Sequence, residues 1–221
     1  MTTPAHPSRR PDAEIAIPLY DRFTALDAVG PYEVLWRVPG ARVRWIGAEA
    51  RPYATDRGLQ LVAEATFEDV PSPDVLVVPG GTGTLAALED RRLVDWIRRA
   101  DPTSTWTTSV CTGALLLGAA GLLDGLRATT HWAYMDRLAA YGAEATSERV
   151  VEQGKVITSA GVSSGIDMAL TLAAAIAGDD VAQAIQLRIE YDPEPPFDTG
   201  STAKAPAHVI ELARSPTPSP A

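Results

Sequence analysis

Cysteine and histidine are scarce in this chain of 221 residues, which has one cysteine and three histidines. One of the histidines, His6, lies in the N-terminal tail. The remaining residues do not approach the ligand spacing of any known metal motif, so we expect no metal site. A single unpaired cysteine also agrees with a reducing compartment.

Basic residues and long apolar runs are scarce as well. The chain has 19 Lys and Arg against 28 Asp and Glu, giving a formal net charge of −9. This balance argues against nucleic-acid binding, which favours a basic stripe. No apolar run is long enough to cross a bilayer, and Arg9 and Arg10 are not followed by the apolar segment of a secretory signal. We therefore expect a cytoplasmic protein that binds neither nucleic acid nor membrane.

The length and the 46% of hydrophobic residues suffice for one sizeable core. Residues 1–12 and 214–221 lie in segments rich in Pro, Ser and Thr, which cannot bury much apolar area. The sequence thus predicts one domain over residues 13–213, with mobile tails at 1–12 and 214–221.

Strand-like and helical segments alternate along this domain. Strands are predicted at 14–20, 43–48, 75–78 and 106–110, helices at 24–36, from Leu85, and at 91–99, 113–120, 164–177 and 179–190, and a hairpin at 150–157. Asp179 or Asp180 is the expected cap of the last helix. This alternation is typical of an α/β fold with a mostly parallel sheet covered by helices on both faces.

Cys111 falls where the strand at 106–110 turns into a helix. A sharp turn at this place exposes the thiol at the N-terminus of a helix, where the dipole favours thiolate, and resembles a nucleophile elbow. We expect the thiol pKa to lie below the free value of about 8.5. The alternative is a small hydrophobic residue that fills the core. From these residues alone, both interpretations remain open.

Asp27 is the carboxylate best placed to handle protons for this cysteine. It follows the first predicted strand, at the sheet edge where the cysteine turn is expected. The alternative is an acid that caps or stabilises a helix N-terminus. His131 is a further candidate, either to orient a substrate or to satisfy a buried hydrogen bond.

Two loops complete the expected site. The glycines of residues 79–83 (PGGTG) permit bare N–H groups to approach a ligand and to form an oxyanion hole with the N–H of Thr112, although a tight structural turn is the alternative. Val162, in a loop that enters a later helix, is a candidate for lining the pocket.

Five segments taken together resemble the DJ-1/PfpI superfamily, and more narrowly its isocyanide hydratases. They are residues 26–31 (LDAVGP), 79–83 (PGGTG), 109–113 (SVCTG), 128–132 (ATTHW) and 165–167 (GID). Protease-like members usually have His after the cysteine and glyoxalase-like members a Glu near the first helix, whereas this chain has Thr112 and Asp27. Residues 160–162 (AGV) depart from the glycine-rich run with a larger branched residue that is usual in the hydratases.

The resemblance implies a flavodoxin-like fold, a homodimer, no cofactor, and the hydration of an isocyanide by water to an N-formamide. In this mechanism Cys111 attacks the terminal carbon to form a thioimidate, and Asp27 protonates the nitrogen and later activates water. Thr112 would hold Asp27 through its hydroxyl, while its N–H and Gly81 support the addition intermediate. Gly80, Val162 and His131 would contact the substrate.

Two alternatives accompany this prediction. One is a glyoxalase or hydrolase of the same superfamily. The other is a redox sensor that does not turn over substrate, in which Cys111 is oxidised to a sulfinic acid.

Overall fold

The computed structural model describes residues 12–215. It separates into two compact units, one ending at Ile189 and one beginning at Glu190. The predicted tails lie outside the described residues, except for residues 12, 214 and 215. The single-domain boundaries at 13–213 stay a prediction.

The strands of the first unit are short and lie mostly in one sheet. In chain order they are β1 Ala13–Leu19, β2 Ala41–Gly47, β3 Pro52–Ala54, β4 Gln60–Val62, β5 Ala65–Thr66, β6 Val75–Val78, β7 Trp106–Val110, β8 Arg127–Ala128, β9 Glu144–Ala145, β10 Val150–Gln153 and β11 Val156–Ser159. Seven of them form the main sheet in the order β10-β11-β7-β6-β1-β2-β5. Every pair in it is parallel except the β10–β11 hairpin.

Helices surround this sheet, which confirms the flavodoxin-like α/β fold. In the first unit they are α1 Ala25–Leu35, α2 Thr84–Ala87, α3 Arg91–Ala100, α4 Gly113–Ala119, α5 Met135–Ala139, α6 Ser164–Ala177 and α7 Asp179–Arg188, and the second unit contains α8 Ala207–Arg214. None of the helices within residues 12–215 is both long and apolar enough to span a bilayer.

The predicted elements match the observed ones to within one or two residues at most ends. Strands β6 and β7 and helix α6 have the predicted bounds. The predicted cap of α7 is wrong, because Gly178 precedes this helix and both Asp179 and Asp180 lie inside its first turn. Gly178 has a φ of 94°, a conformation that glycine adopts without strain, so it serves at once as the end of α6 and the start of α7.

The parallel central strands bring the site together. Strand β6 is flanked by β1 and β7, and its four apolar residues are all buried. Because parallel strands end at the same edge of a sheet, the segments that follow β1, β6 and β7 are neighbours. These segments carry Asp27, the turn at residues 79–83, and Cys111.

Candidate active site

Cys111 occupies a sharp turn between β7 and α4. Its φ is 57°, in the left-handed region that costs a non-glycine residue on the order of 1–3 kcal/mol. The backbone is held on both sides, since its N–H donates to the carbonyl of Ala160 at 2.9 Å and its own carbonyl accepts from the Thr130 hydroxyl at 2.8 Å. The predicted elbow geometry is therefore present.

Cys111 is buried, with only 5% of the residue exposed. Burial and the neighbouring Asp27 raise its pKa to about 12, although hydrogen bonds from the N–H groups of Val162 and Thr112 act in the opposite direction. The prediction of a thiol pKa below 8.5 is wrong, because loss of water and the nearby carboxylate outweigh the two N–H donors.

Asp27 lies in the first turn of α1 and is fully buried. Its Oδ2 accepts a hydrogen bond from the N–H of Gly80 at 3.0 Å, and its Oδ1 has no hydrogen-bond partner among residues 12–215. Burial raises its pKa to about 7, against the opposing effects of Gly80 and the Cys111 thiol. The N-cap of α1 is Thr24, so Asp27 does not cap the helix.

The carboxyl and the thiol form one buried acid–base pair. Each group raises the cost of a second negative charge on the pair, so between about pH 7 and about pH 12 the pair carries one negative charge and one proton. Such a pair can present a thiolate and a carboxylic acid side by side, which are the two groups that addition of a nucleophile followed by protonation requires.

The N–H groups of Gly80 and Gly81 are already engaged. Gly80 donates to Asp27, and Gly81 donates to Oγ1 of Thr112 at 2.9 Å. Through these bonds the two glycines hold the two residues beside the thiol, and their predicted oxyanion role stays a prediction.

The Thr112 hydroxyl also differs from its predicted role. Besides Gly81 it bonds the Thr84 hydroxyl at 2.8 Å, so it is occupied by Gly81 and Thr84 rather than by Asp27. The predicted Thr112–Asp27 contact is wrong because the two side chains bind successive residues of the turn, Thr112 at Gly81 and Asp27 at Gly80. Only the backbone N–H of Thr112 acts on the cysteine.

Val162 contacts the thiol through its backbone, and His131 packs near the loop that carries Val162. Val162 has an unusual φ of 30°, and its N–H acts on the Cys111 sulfur. His131 packs against Gly161, the residue before Val162, since a Cβ on Gly161 would lie 2.9 Å from Cδ2 of His131. Its Nδ1 accepts the N–H of Ala133 at 3.3 Å, and burial lowers its pKa. The imidazole is therefore neutral and carries its proton on Nε2.

Four residues that the sequence interpretation did not select also support the site. The Thr130 hydroxyl donates to the Cys111 carbonyl, and the charge of Asp56 raises the pKa of Asp27. Thr84 forms a hydrogen bond with the Thr112 hydroxyl, and Tyr20 forms one with Thr84. Thr130 lies inside the segment at 128–132 that was noted for its histidine, but the other three belong to no motif. Within residues 12–215, no group of three His, Cys, Asp or Glu side chains is arranged to hold a metal.

Comparison with known proteins identifies the family of this chain. The model of the DJ-1/PfpI family matches residues 13–175, and the chain belongs to this family. An isonitrile hydratase from Pseudomonas putida is 47% identical over 201 residues, which cover 91% of this chain and 88% of that protein. The crystal structure of a ThiJ/PfpI family protein from Pseudomonas syringae has a TM-score of 0.89 at 41% identity, covering 91% of this chain and 84% of that one.

More distant relatives share the domain. Drosophila melanogaster DJ-1beta has a TM-score of 0.75 at 22% identity, covering 81% of this chain and 98% of that one, and this likeness shows the fold alone. The resemblance inferred from the five sequence segments is thereby confirmed at the level of the family.

Proposed function

We propose that this protein hydrates an isocyanide to an N-formamide. The observation that carries the proposal is the buried pair formed by Asp27 and Cys111, in which a carboxyl with a pKa near 7 accompanies the thiol at the elbow. The isonitrile hydratase that is 47% identical to this chain supports the same reaction.

The first step forms a carbon–sulfur bond. The Cys111 thiol transfers its proton to the Asp27 carboxylate, and the resulting thiolate adds to the terminal carbon of the isocyanide. The electron pair left on that carbon then takes the proton from Asp27 to give a thioimidate. The mechanism expected from the sequence placed this proton on nitrogen. The proton goes to carbon instead, because nitrogen keeps its double bond to carbon in the thioimidate. The N–H groups of Thr112 and Val162 stabilise the attacking thiolate.

The second step adds water to the carbon–nitrogen double bond. The Asp27 carboxylate removes a proton from water as the oxygen bonds to carbon, and then delivers this proton to nitrogen. It next takes the hydroxyl proton as the carbon–sulfur bond breaks. The N-formamide leaves, and the thiolate and the protonated Asp27 are restored, so one water is consumed and no net proton is released.

The test is to incubate the protein with cyclohexyl isocyanide in H₂¹⁸O, and separately with methylglyoxal. We expect N-cyclohexylformamide with one ¹⁸O, identified by mass spectrometry, and no lactate. Lactate without formamide would instead favour a glyoxalase. Absence of both products, together with conversion of Cys111 to a sulfinic acid by mild peroxide, would favour the redox sensor.

The homodimer implied by the family resemblance is part of the same proposal. Light scattering on the purified protein tests it, with an expected mass twice that of one chain. A mass of one chain at micromolar concentration would contradict it.

A further inference from the structure

A closed ring of hydrogen bonds lies next to the Asp27–Cys111 pair. The Tyr20 hydroxyl donates to the Pro79 carbonyl at 2.9 Å and lies 2.9 Å from Oγ1 of Thr84. Oγ1 of Thr84 lies 2.8 Å from Oγ1 of Thr112, which accepts the N–H of Gly81 at 2.9 Å. The three side chains are buried. The backbone from residue 79 to residue 81 closes the ring.

The ring has only one consistent direction. The Pro79 carbonyl can only accept, so the single hydroxyl proton of Tyr20 points to it. Tyr20 must then accept from Thr84, and Thr84 must in turn accept from Thr112, whose hydroxyl also has a longer alternative acceptor in the Gly81 carbonyl at 3.3 Å. Each hydroxyl thus donates once and accepts once, and a break at any member leaves a buried polar group without its partner.

The ring acts on Asp27 through one peptide group. The Pro79 carbonyl, which receives the Tyr20 proton, and the Gly80 N–H, which binds Oδ2 of Asp27, belong to the same peptide. A donor on the carbonyl polarises the peptide and makes its N–H a stronger donor. The ring therefore stabilises the charged form of Asp27.

The same ring fixes the residue that follows the cysteine. The Thr112 hydroxyl is held from both sides by Gly81 and Thr84, while the Thr112 backbone N–H acts on the Cys111 sulfur. The ring is thus linked to both members of the acid–base pair.

We propose that Tyr20 and Thr84 are positioning residues that set how the single negative charge is divided between Asp27 and Cys111. The effect of this charge division on turnover rests on the proposed function, but the charge division itself does not. The charged or titratable groups that act on Asp27 are Cys111, Asp56 and, through the Pro79–Gly80 peptide, Tyr20.

The test measures the rate at which iodoacetamide alkylates Cys111 as a function of pH, which requires no isocyanide. In Tyr20→Phe the Pro79 carbonyl loses its hydrogen-bond donor, so the Gly80 N–H stabilises the Asp27 carboxylate less. We therefore expect the lower midpoint of the plot of alkylation rate against pH to rise by roughly a few tenths of a pH unit. The plateau rate above this midpoint should rise roughly twofold on the same grounds, because a larger share of the charge lies on sulfur. Thr84→Val should give a smaller change of the same sign, and Thr84→Ser should restore the unaltered profile.

Tyr53→Phe is the matched control, because Tyr53 is also buried and its hydroxyl bonds the backbone of Glu49, away from the ring. Its alkylation profile should equal that of the unaltered protein. Unchanged midpoints and plateaus in Tyr20→Phe and Thr84→Val would overturn the proposal, as would equal shifts in Tyr53→Phe. If Tyr20→Phe does not fold, Thr84→Val against Thr84→Ser decides. If isocyanide is not hydrated at all, the alkylation profile still decides this proposal separately.

Discussion

Two turns meet at the carboxyl edge of the sheet, and they use the backbone differently. In the turn at residues 79–83 the residue with positive φ is Gly81, and the N–H groups of Gly80 and Gly81 bind protein side chains. In the turn at residues 110–113 the residue with positive φ is Cys111 itself, and nearby N–H groups act on its sulfur. The glycine-rich turn therefore binds side chains of the protein, whereas the turn with a non-glycine residue in the left-handed region holds the cysteine that we propose as the nucleophile.

The glycines of the two turns lie where the turns contact each other. A Cβ on Gly80 would lie 2.4 Å from the Thr112 nitrogen, and a Cβ on Gly113 would lie 2.1 Å from the Val78 carbonyl oxygen. The glycines permit the two turns to pack against each other, which puts Asp27 and Cys111 in one site. A side chain at either position would prevent this close approach of backbone to backbone.

Replacing the cysteine should have the largest effect. We expect Cys111→Ala and Cys111→Ser to abolish formamide production, because no other residue in the elbow supplies a thiolate. Circular dichroism should show an intact fold, since both side chains are small enough for the position. Near-native hydration by a folded Cys111→Ala protein would refute the covalent mechanism.

Replacing the acid should have the next largest effect on turnover. Asparagine matches the shape of Asp27 and can still accept the Gly80 N–H, but it cannot deliver and recover a proton. We expect Asp27→Asn to lose about 10²–10⁴-fold in kcat, the usual contribution of general acid–base catalysis. Cys111 should remain alkylatable in this variant. Near-unaltered turnover would return Asp27 to a structural role and leave His131 or another acid as the proton donor.

The same substitution should stabilise the fold in a pH-dependent way. The pKa of Asp27 rises from 3.8 to about 7 on burial, so the folded state binds its proton more tightly than the unfolded state does. The resulting stability is fully present below about pH 4 and is lost as pH rises through about 7, which amounts to about 4 kcal/mol. Asp27→Asn should therefore gain stability relative to the unaltered protein as pH rises from 4 to 8, measured by urea unfolding. An equal difference at pH 4 and pH 8 would contradict this.

A methyl group between the two turns should have a moderate effect. Gly80→Ala places its Cβ against the Thr112 nitrogen and the Gly113 nitrogen, at 2.4 and 2.8 Å, so the turns must separate. We expect a loss of about 1–3 kcal/mol in stability, typical of overpacking, together with lower hydration activity. Gly200→Ala, which meets no atom within 4 Å, is the control and should change neither quantity. Equal behaviour of the two variants would show that the turns do not depend on this contact.

The sequence predicted the sheet, most helices and the Cys111 elbow because each depends on local pattern. Strand β6 is an uninterrupted apolar run, and the elbow follows a short buried strand. The direction of the thiol pKa was missed because it depends on how deeply Asp27 and Cys111 are buried together, which no spacing along the chain reveals. The Thr112 contact was missed for the same reason, since its partner Thr84 is 28 residues away.

The smallest effect is expected at His131, whose role the sequence left open. Its Nδ1 accepts the N–H of Ala133 at the start of a short 3₁₀ turn, and its ring packs against Gly161. Asparagine caps such a turn well and remains uncharged, as the imidazole is at neutral pH. If Asp27 alone moves protons, His131→Asn should keep kcat within about threefold, which corresponds to roughly 0.6 kcal/mol in the barrier, and any larger change should appear in KM. Steady-state measurement of kcat and KM for His131→Asn and Asp27→Asn, made side by side, tests this prediction. A loss of kcat as large as that of Asp27→Asn would place His131 among the proton donors and would require a mechanism with two acids.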